Sequence, residues 1–286
     1  MSYPKIGHIN FLNILPLTYS YYHGYSNGLL LTYDVPSVLN NRIKNNQLDI
    51  SMISSVEYAR MSDNLLILPD VCIRADCDVE SIVLISKKKI EDIKNDKIIL
   101  TSKSATSHCL VKIILSEGYD ANPVYQINNV EVENPIPEDS TAALLIGDDA
   151  LYTYLNVPEK LYCYDIGKEW HKLTRRSMVY ALWVVRKEFA DKSPELLQLA
   201  YDRITFGIQN GLKNKNAAIN FADKSKKISY NDLDYYLGNI IKWNLNDDGV
   251  ESLITYYKLA HKLNLIENVP EIKFAHVNRN TDIIQF

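Results

Sequence analysis

The chain has little of what marks a disulfide-stapled, zinc-binding, nucleic-acid-binding or membrane protein. Its four cysteines form no C-x-x-C pair and no Cys/His cluster at zinc spacing, so we expect reduced, mostly buried thiols and no metal site. The net charge is −4, which argues against nucleic acid as a partner because phosphate binding needs a basic surface. No apolar run approaches the ~20 residues of a membrane span, and we expect no membrane partner.

The beginning of the chain also lacks targeting features. Met1 to Lys5 contain no apolar signal region and no lipobox cysteine, and they lead directly into a predicted strand. We therefore expect the protein to stay in the cytoplasm. Nothing in the sequence indicates an oligomeric state.

Hydrophobic segments of strand and helix length alternate along most of the chain. With 286 residues and 47% hydrophobic content, the chain can build two lobes with separate cores. From Ser193 onward the pattern is mostly helical and carries no motif of its own. The alternation predicts an α/β fold with helices layered on sheets. The predicted strands cover residues 5–9, 29–35, 48–53, 65–73, 79–86, 97–100, 142–146, 161–164 and 178–185.

Two charged segments suggest where the chain passes between lobes. Ser86–Lys89 and Arg186–Glu188 each end a long predicted strand in charge. We predict one lobe from residues 1–86 together with 187–286, and an inserted middle lobe from residues 87–186. In such folds a ligand binds in the crevice at the carboxyl ends of strands.

The most informative junction joins a predicted strand, a hydroxyl-rich loop and a predicted helix. Ser104, Ala105, Thr106 and Ser107 lie at this junction, just before the apolar run 109–115. The first turn of a helix has unpaired backbone N–H groups and a partial positive charge. Together with nearby hydroxyls, such a turn binds carboxylate or phosphate. We therefore predict an anion-binding site at these four residues.

A second junction, at Ser54 and Ser55, has two interpretations. Both residues precede a predicted helix and are candidates for anion binding in the same way. The spacing of Ser54 and Glu57 also fits the capping box S-x-x-E, which is a full structural explanation for both side chains. Asp148 and Asp149 follow Gly147, where carboxylates suit the start of a short helix.

An ordered set of strings spans roughly residues 5 to 187. The strings are Ile6–Asn13, Leu15–Leu17, Leu48–Ser51, Ile53–Ala59, Leu68–Asp70, Leu100–Ser102, Ser104–Ser107, Ala143–Leu151, Tyr164–Gly167 and Val179–Arg186. Taken together, they resemble the chorismate dehydratases of the futalosine route of menaquinone biosynthesis. The Ser-Ala-Thr-Ser and Gly-Asp-Asp strings favour this family over its sister, which makes 1,4-dihydroxy-6-naphthoate.

The resemblance implies a fold and a reaction. The fold would be the two-lobed periplasmic-binding-protein type II architecture with a central ligand cleft. The reaction would remove water from chorismate to give 3-[(1-carboxyvinyl)oxy]benzoate, with no metal or organic cofactor. Two alternatives stay open: the naphthoate-forming sister activity, and a small-carboxylate-binding protein without catalysis, because the architecture is that of solute receptors.

The resemblance also implies roles for particular residues. Chorismate carries two carboxylates, and the implied binding residues are Ser54, Ser55, Ser104, Ala105, Thr106, Ser107 and Asp149. Asn13 and Ser81 are the implied catalytic residues; the alternatives are a helix cap for Asn13 and a small strand residue for Ser81. His8 is a possible base or a packed core histidine. Our hypothesis is that no side chain is a dedicated base and that the substrate's enolpyruvyl carboxylate takes the proton.

One segment departs from the family's pattern. Thr174–Met178 stands where the family commonly has T-G-L-P-F, and Cys77–Asp78 stands where a glycine and a variable residue are usual. Arg175 and Arg176 either add carboxylate donors to the cleft or lie in a solvated loop. The departure bears on which substrate the cleft accepts.

Overall fold

The computed structural model describes residues 3–279, whose strands form two separate sheets. The first sheet has six strands in the order β11-β4-β10-β3-β1-β2. β1 is parallel to β2 and β3, while β10 is antiparallel to both β3 and β4. Its strands are β1 (Lys5–Ile9), β2 (Leu30–Asp34), β3 (Ile50–Ser54), β4 (Leu65–Ala75), β10 (Met178–Arg186) and β11 (Ile241–Lys242).

The second sheet has five strands in the order β7-β6-β8-β5-β9. β6 is parallel to β7 and β8, and β5 is antiparallel to β8 and β9. We call the first sheet with its helices the first lobe and the second sheet with its helices the second lobe. The strands of the second sheet are β5 (Ile82–Ser86), β6 (Lys97–Thr101), β7 (Val124–Asn128), β8 (Ala142–Ile146) and β9 (Tyr162–Asp165).

Helices connect the strands and make up most of the C-terminal third. They are α1 (Leu15–Ser20), α2 (Pro36–Lys44), α3 (Ser55–Met61), α4 (Ala105–Ile113), α5 (Asp148–Leu155), α6 (Ile166–Thr174), α7 (Lys187–Lys192), α8 (Pro194–Lys213), α9 (Lys215–Phe221), α10 (Tyr230–Tyr235) and α11 (Asp247–Lys262). Short 3-10 helices lie at Leu12–Ile14, Ile90–Asp92 and Lys224–Lys226, and π-helical turns at Tyr21–Tyr25, Ile114–Gly118 and Tyr236–Ile240.

The central strands show why the sequence specifies this arrangement. Every residue of β3, β5 and β8 is buried. A strand covered by helices on both faces needs a nearly continuous apolar run instead of an alternating one. Ala142–Ile146 is such a run, and Gly147 separates it from the start of α5. Ile50–Ser54 includes Ser51 and Ser54 among its buried residues and leads directly into α3.

The chain changes sheet earlier than the predicted boundaries at each crossing. Strand β4 ends in the first sheet at Ala75, and β5, which begins at Ile82, already belongs to the second. The return lies between the end of α6 at Thr174 and the start of β10 at Met178, in the first sheet. The boundaries after residues 86 and 186 are therefore wrong. Charge marked the ends of these strands correctly, but a strand's end does not reveal which sheet it joins.

The first crossing is tied to β9 by a buried carboxylate. Asp165 accepts hydrogen bonds from the backbone N–H groups of Val79 and Glu80, at 2.9 and 2.6 Å. Glu80 has a left-handed backbone with φ +57°, and its side chain is buried. Burial raises the pKa of Glu80 to about 7, with further contributions from the negative charges of Asp165, Asp78 and Asp232.

We predict that Glu80→Gln stabilises the protein more at alkaline than at acidic pH. The pKa of Glu80 is raised on folding, so the native state holds a proton that the unfolded chain releases, and stability falls as pH rises through about 7. A neutral amide removes that loss. The melting temperature of the variant minus that of wild type should be roughly 2–4 °C larger at about pH 8 than at about pH 5. Glu133→Gln, in an exposed loop, is the matched control; an unchanged difference at both pH values would contradict the prediction.

Candidate functional site

A cleft between the two lobes is the candidate site. It contains about 560 Å³ of space free of protein atoms, part of it open to solvent. The lining is mostly apolar, and its polar members among the described residues are Asn13, Ser54, Ser81, Ser104, Ser107 and Tyr180.

This one cleft brings together five residues that the sequence predicts for the site: Asn13, Ser54, Ser81, Ser104 and Ser107. Asn13 and Ser54 belong to the first lobe, whereas Ser104 and Ser107 come from the second. Ser81 lies at the end of the first crossing, immediately before β5. The cleft therefore needs both lobes, and neither sheet provides the whole set.

The other predicted binding residues lie beside the cleft without lining it. The Ser55 hydroxyl donates to the carbonyl of Val179 at 2.6 Å. The Thr106 hydroxyl accepts from the N–H of Val56 at 3.3 Å. Asp149 pairs with Lys103 at 2.8 Å. Ala105 is also absent from the lining, although it begins α4.

The three possible site residues, His8, Arg175 and Arg176, all lie outside the cleft. His8 is fully buried beside Tyr21 and Tyr33, and its Nε2 lies 2.8 Å from the Thr18 hydroxyl. Burial lowers the pKa of His8 to about 3, so the ring stays neutral. Arg175 is an exposed residue that directly follows the end of α6, with φ +60°. Arg176 forms a surface ion pair with Glu251 at 2.7 Å.

Several helix starts point their N-terminal ends at the cleft. Asn13 lies in the 3-10 helix Leu12–Ile14, and Ser54, Ser104 and Gly147 are the residues immediately before α3, α4 and α5; all four line the cleft. Helix N-termini carry unpaired backbone N–H groups and partial positive charge. The cleft is thus suited to a small anion although no Lys or Arg is among its lining residues.

The two serine junctions are built differently. The Ser104 side chain caps α4 by accepting from the N–H of Ser107, at 3.4 Å. Ser54 makes no such cap; its oxygen accepts from Asn40 at 3.5 Å. Glu57 instead pairs with Arg60 at 2.6 Å. The predicted capping box is therefore wrong, because partners outside the helix start engage both side chains.

Ser81 has a partner that sequence reasoning missed. The hydroxyl of Tyr236 donates to Ser81 Oγ at 2.7 Å, and Ser81 Oγ donates in turn to the carbonyl of Val79 at 3.2 Å. Tyr236 and the lining residue Ile241 come from the C-terminal third. That region has no recognisable motif, and one buried tyrosine among 20 tyrosines gives no signal in the sequence.

Two buried polar atoms on cleft residues have no hydrogen-bond partner among the described residues. They are Asn13 Oδ1 and the hydroxyl of Tyr180. An unsatisfied buried acceptor costs about 1–3 kcal/mol. The Asn13 backbone is fixed, since its carbonyl accepts from the Trp243 indole at 2.9 Å. The Asn13 side chain therefore has an acceptor at the cleft without a partner among the described residues.

Acid–base side chains are absent from the described lining of the cleft. It contains no Asp, Glu, His, Lys, Arg or Cys, and Tyr180 is its one titratable residue. Burial raises the pKa of Tyr180 well above its ordinary value, with the negative charge of Asp165 contributing further, so the phenol is neutral at physiological pH. The site is equipped to orient a charged ligand and has no side chain that titrates near pH 7.

The lobes are joined across the cleft by the segment that carries Asn13. The backbone N–H of Leu12 donates to Asp148 Oδ1 at 2.9 Å. Gly147 has φ +68°, and a Cβ at this position would lie 3.2 Å from the ring of Phe11. The first-lobe segment therefore packs directly on the helix start of the second lobe.

A larger depression lies elsewhere on the surface. It has about 1,490 Å³ of free space and lies between Arg60 and the segment 264–273. It contains none of the predicted site residues and its lining is mainly polar. Small-molecule sites are mostly apolar with a few convergent polar groups, so the inter-lobe cleft is the better candidate.

Residues 3–279 contain neither a metal-binding cluster nor a membrane-spanning helix. No group of three or more His, Cys, Asp or Glu side chains in that range is arranged to hold a metal ion. None of the helices in the same range combines the length and apolar character needed to cross a bilayer.

Comparison with known proteins gives consistent results. A family model described as menaquinone biosynthesis matches residues 4–262. A chorismate dehydratase of Thermus thermophilus is 29% identical over 175 residues, which is 56% of this chain and 63% of that protein, so this match spans less than two thirds of the relative. A chorismate dehydratase of Campylobacter jejuni is 26% identical over 271 residues, covering 91% of this chain and 98% of the relative.

The fold is also found among solved structures. A Candida albicans protein described as having the generic periplasmic-binding-protein fold superposes with a TM-score of 0.68 at 13% identity, covering 98% of this chain and all of the other. At that identity the likeness concerns the fold alone. The predicted two-lobed periplasmic-binding-protein fold is confirmed.

We predict that Gly147→Ala disturbs the cleft more than an ordinary glycine substitution. The positive φ and the Phe11 ring both oppose a side chain there, so we expect a loss of about 1–3 kcal/mol of unfolding free energy. Chemical denaturation measures it. Gly118→Ala is the control, because its Cβ meets only Leu173 at 4.0 Å and its φ is not positive. Equal effects of the two variants would show that the Phe11–Gly147 contact is unimportant.

Proposed function

Since the chain belongs to the menaquinone biosynthesis family, we propose that it is a chorismate dehydratase, the activity for which both relatives are named. The reaction would convert chorismate into 3-[(1-carboxyvinyl)oxy]benzoate and water, in the cytoplasm. The observation that supports this proposal most is the composition of the cleft. Helix N-termini and small polar side chains suit a dicarboxylate, while a side-chain acid or base of ordinary pKa is absent from the lining.

The two carboxylates of chorismate would be held from opposite lobes. The start of α4, with Ser104 and Ser107, offers backbone N–H groups and hydroxyls from the second lobe. Asn13 and Ser54 offer polar groups from the first lobe. Each hydrogen bond to a charged group contributes roughly 1.5–3 kcal/mol. We assign no direct substrate contact to Ser55, Thr106 or Asp149, because protein groups engage their side chains.

The elimination can proceed with the substrate's own base. The enolpyruvyl carboxylate takes the proton from ring carbon three, and the electrons of that C–H bond form a ring double bond. The bond between ring carbon four and its hydroxyl oxygen breaks, and the hydroxide leaves with the transferred proton as water. The ring becomes aromatic, so the products are strongly favoured and the enzyme needs only to align the groups.

Asn13 and Ser81 would provide this alignment. Asn13 has a fixed backbone and a free Oδ1, and Ser81 has a hydroxyl held by Tyr236. An amide offers both donors and acceptors, and a hydroxyl offers one donor and two lone pairs. We propose that the two side chains keep the enolpyruvyl carboxylate and the leaving hydroxyl in line, which accelerates the reaction by positioning.

Incubation of the purified protein with chorismate tests the proposal. We expect loss of chorismate and appearance of 3-[(1-carboxyvinyl)oxy]benzoate, identified by mass spectrometry. Tight binding with unchanged chorismate would instead favour a carboxylate-binding protein. Turnover of the cyclic futalosine-derived substrate, with chorismate untouched, would favour the naphthoate-forming activity. Either of these two results contradicts the dehydratase proposal.

Asn13→Ala and Ser81→Ala test the assigned residues. Loss of alignment should lower kcat by about 10²-fold in each variant, because misplacement of reacting groups has effects of that size. Arg176→Ala is the control, since it removes a charge from the segment that departs from the family's pattern but lies outside the cleft. Steady-state kinetics with chorismate, with melting temperatures measured alongside, gives the comparison. Wild-type turnover by both cleft variants would rule out this assignment.

A further inference from the structure

We propose that Tyr236 is a positioning residue that acts on the substrate through Ser81. The inference rests on the proposed function and extends it to a residue outside every string of the family resemblance. Tyr236 does not line the cleft, and its hydroxyl reaches the site only through the hydrogen bond to Ser81 Oγ.

The phenol of Tyr236 is a fixed donor. Its side chain is 1% exposed, and its hydroxyl lies 2.7 Å from Ser81 Oγ. Burial raises the pKa of Tyr236 far above its ordinary value, so the phenol keeps its proton. In this bond Tyr236 therefore donates and Ser81 accepts.

This bond determines what Ser81 can do. A serine hydroxyl has one hydrogen and two lone pairs. Tyr236 occupies one lone pair, and the Ser81 hydrogen points to the Val79 carbonyl over a long distance of 3.2 Å. A substrate oxygen in the cleft offers a better acceptor, particularly a carboxylate. The hydrogen can then turn to the substrate while Tyr236 keeps the oxygen in place.

The bond also connects the two lobes. Tyr236 begins the turn that leads into β11 of the first sheet. The carbonyl of Ser81 accepts from the N–H of Gly147, at the start of α5 in the second lobe, at 2.7 Å. Tyr236 therefore fixes Ser81 from the first lobe while Gly147 fixes it from the second. Ser81 is therefore oriented by groups from both lobes.

Tyr236→Phe removes the hydroxyl and keeps the ring. We expect kcat with chorismate to fall by about tenfold while KM changes by less than about twofold, because the lost alignment acts mainly in the transition state. Tyr201→Phe is the matched control: its buried hydroxyl donates to Asp70 at 2.7 Å, and neither residue lines the cleft. We expect both variants to lose similar thermal stability, while Tyr201→Phe keeps the wild-type kcat.

A double-mutant cycle with Ser81→Ala decides whether Tyr236 works through Ser81. In the Ser81→Ala background, adding Tyr236→Phe should leave kcat unchanged within about twofold. A further tenfold fall would show an effect independent of Ser81 and overturn the inference, as would wild-type kcat in Tyr236→Phe. Failure of the wild-type protein to dehydrate chorismate would overturn the proposed function and this inference with it, whereas the other two outcomes leave the proposed function intact.

Discussion

The structure depends on a constraint that every helix in it faces: the first turn of a helix has backbone N–H groups that the helix itself cannot pair. In this chain α3, α4 and α5 begin directly after strands or strand-end loops, and their preceding residues face a shared cleft. Helix starts from the two lobes therefore meet at one cleft. An anionic ligand between them would face the partial positive charge of these helix starts.

Among the described residues that line the cleft, no side chain titrates near neutrality, and this composition suits a reaction that depends on alignment of the substrate. The described lining residues offer no strong base to a reaction that needs one. Elimination of water from chorismate is different, because the substrate carries its own carboxylate and gains an aromatic ring. Asn13 with its free Oδ1, and Ser81 held between Tyr236 and Gly147, are suited to holding groups in line. This match between cleft and reaction is the reason for choosing the dehydratase among the alternatives.

The sequence predicted local features well and distant ones poorly. The strand–loop–helix junctions at Ser54 and Ser104 are visible in residue order, because an apolar run followed by hydroxyl residues has few local solutions. The sheet to which Ile82–Ser86 and Met178–Arg186 belong depends on partners far along the chain, so both boundaries were misplaced. Tyr236 lies 155 residues from Ser81, and no local pattern distinguishes it from other buried tyrosines. The capping box was also predicted wrongly, because Ser54 accepts a hydrogen bond from Asn40, 14 residues away, and does not cap its helix.

The most direct test of the account is the dependence of kcat on pH with chorismate as substrate. The carboxylates of chorismate titrate near pH 4, and the phenol of Tyr180 titrates well above pH 10. The account therefore predicts a kcat that is constant within about twofold between about pH 6 and about pH 9. Glu80, next to Ser81, has a pKa of about 7, so the profile is also measured for Glu80→Gln. A bell-shaped profile, or a tenfold change with an apparent pKa near 7, that persists in this variant would show that another side-chain acid or base takes part and would contradict the account.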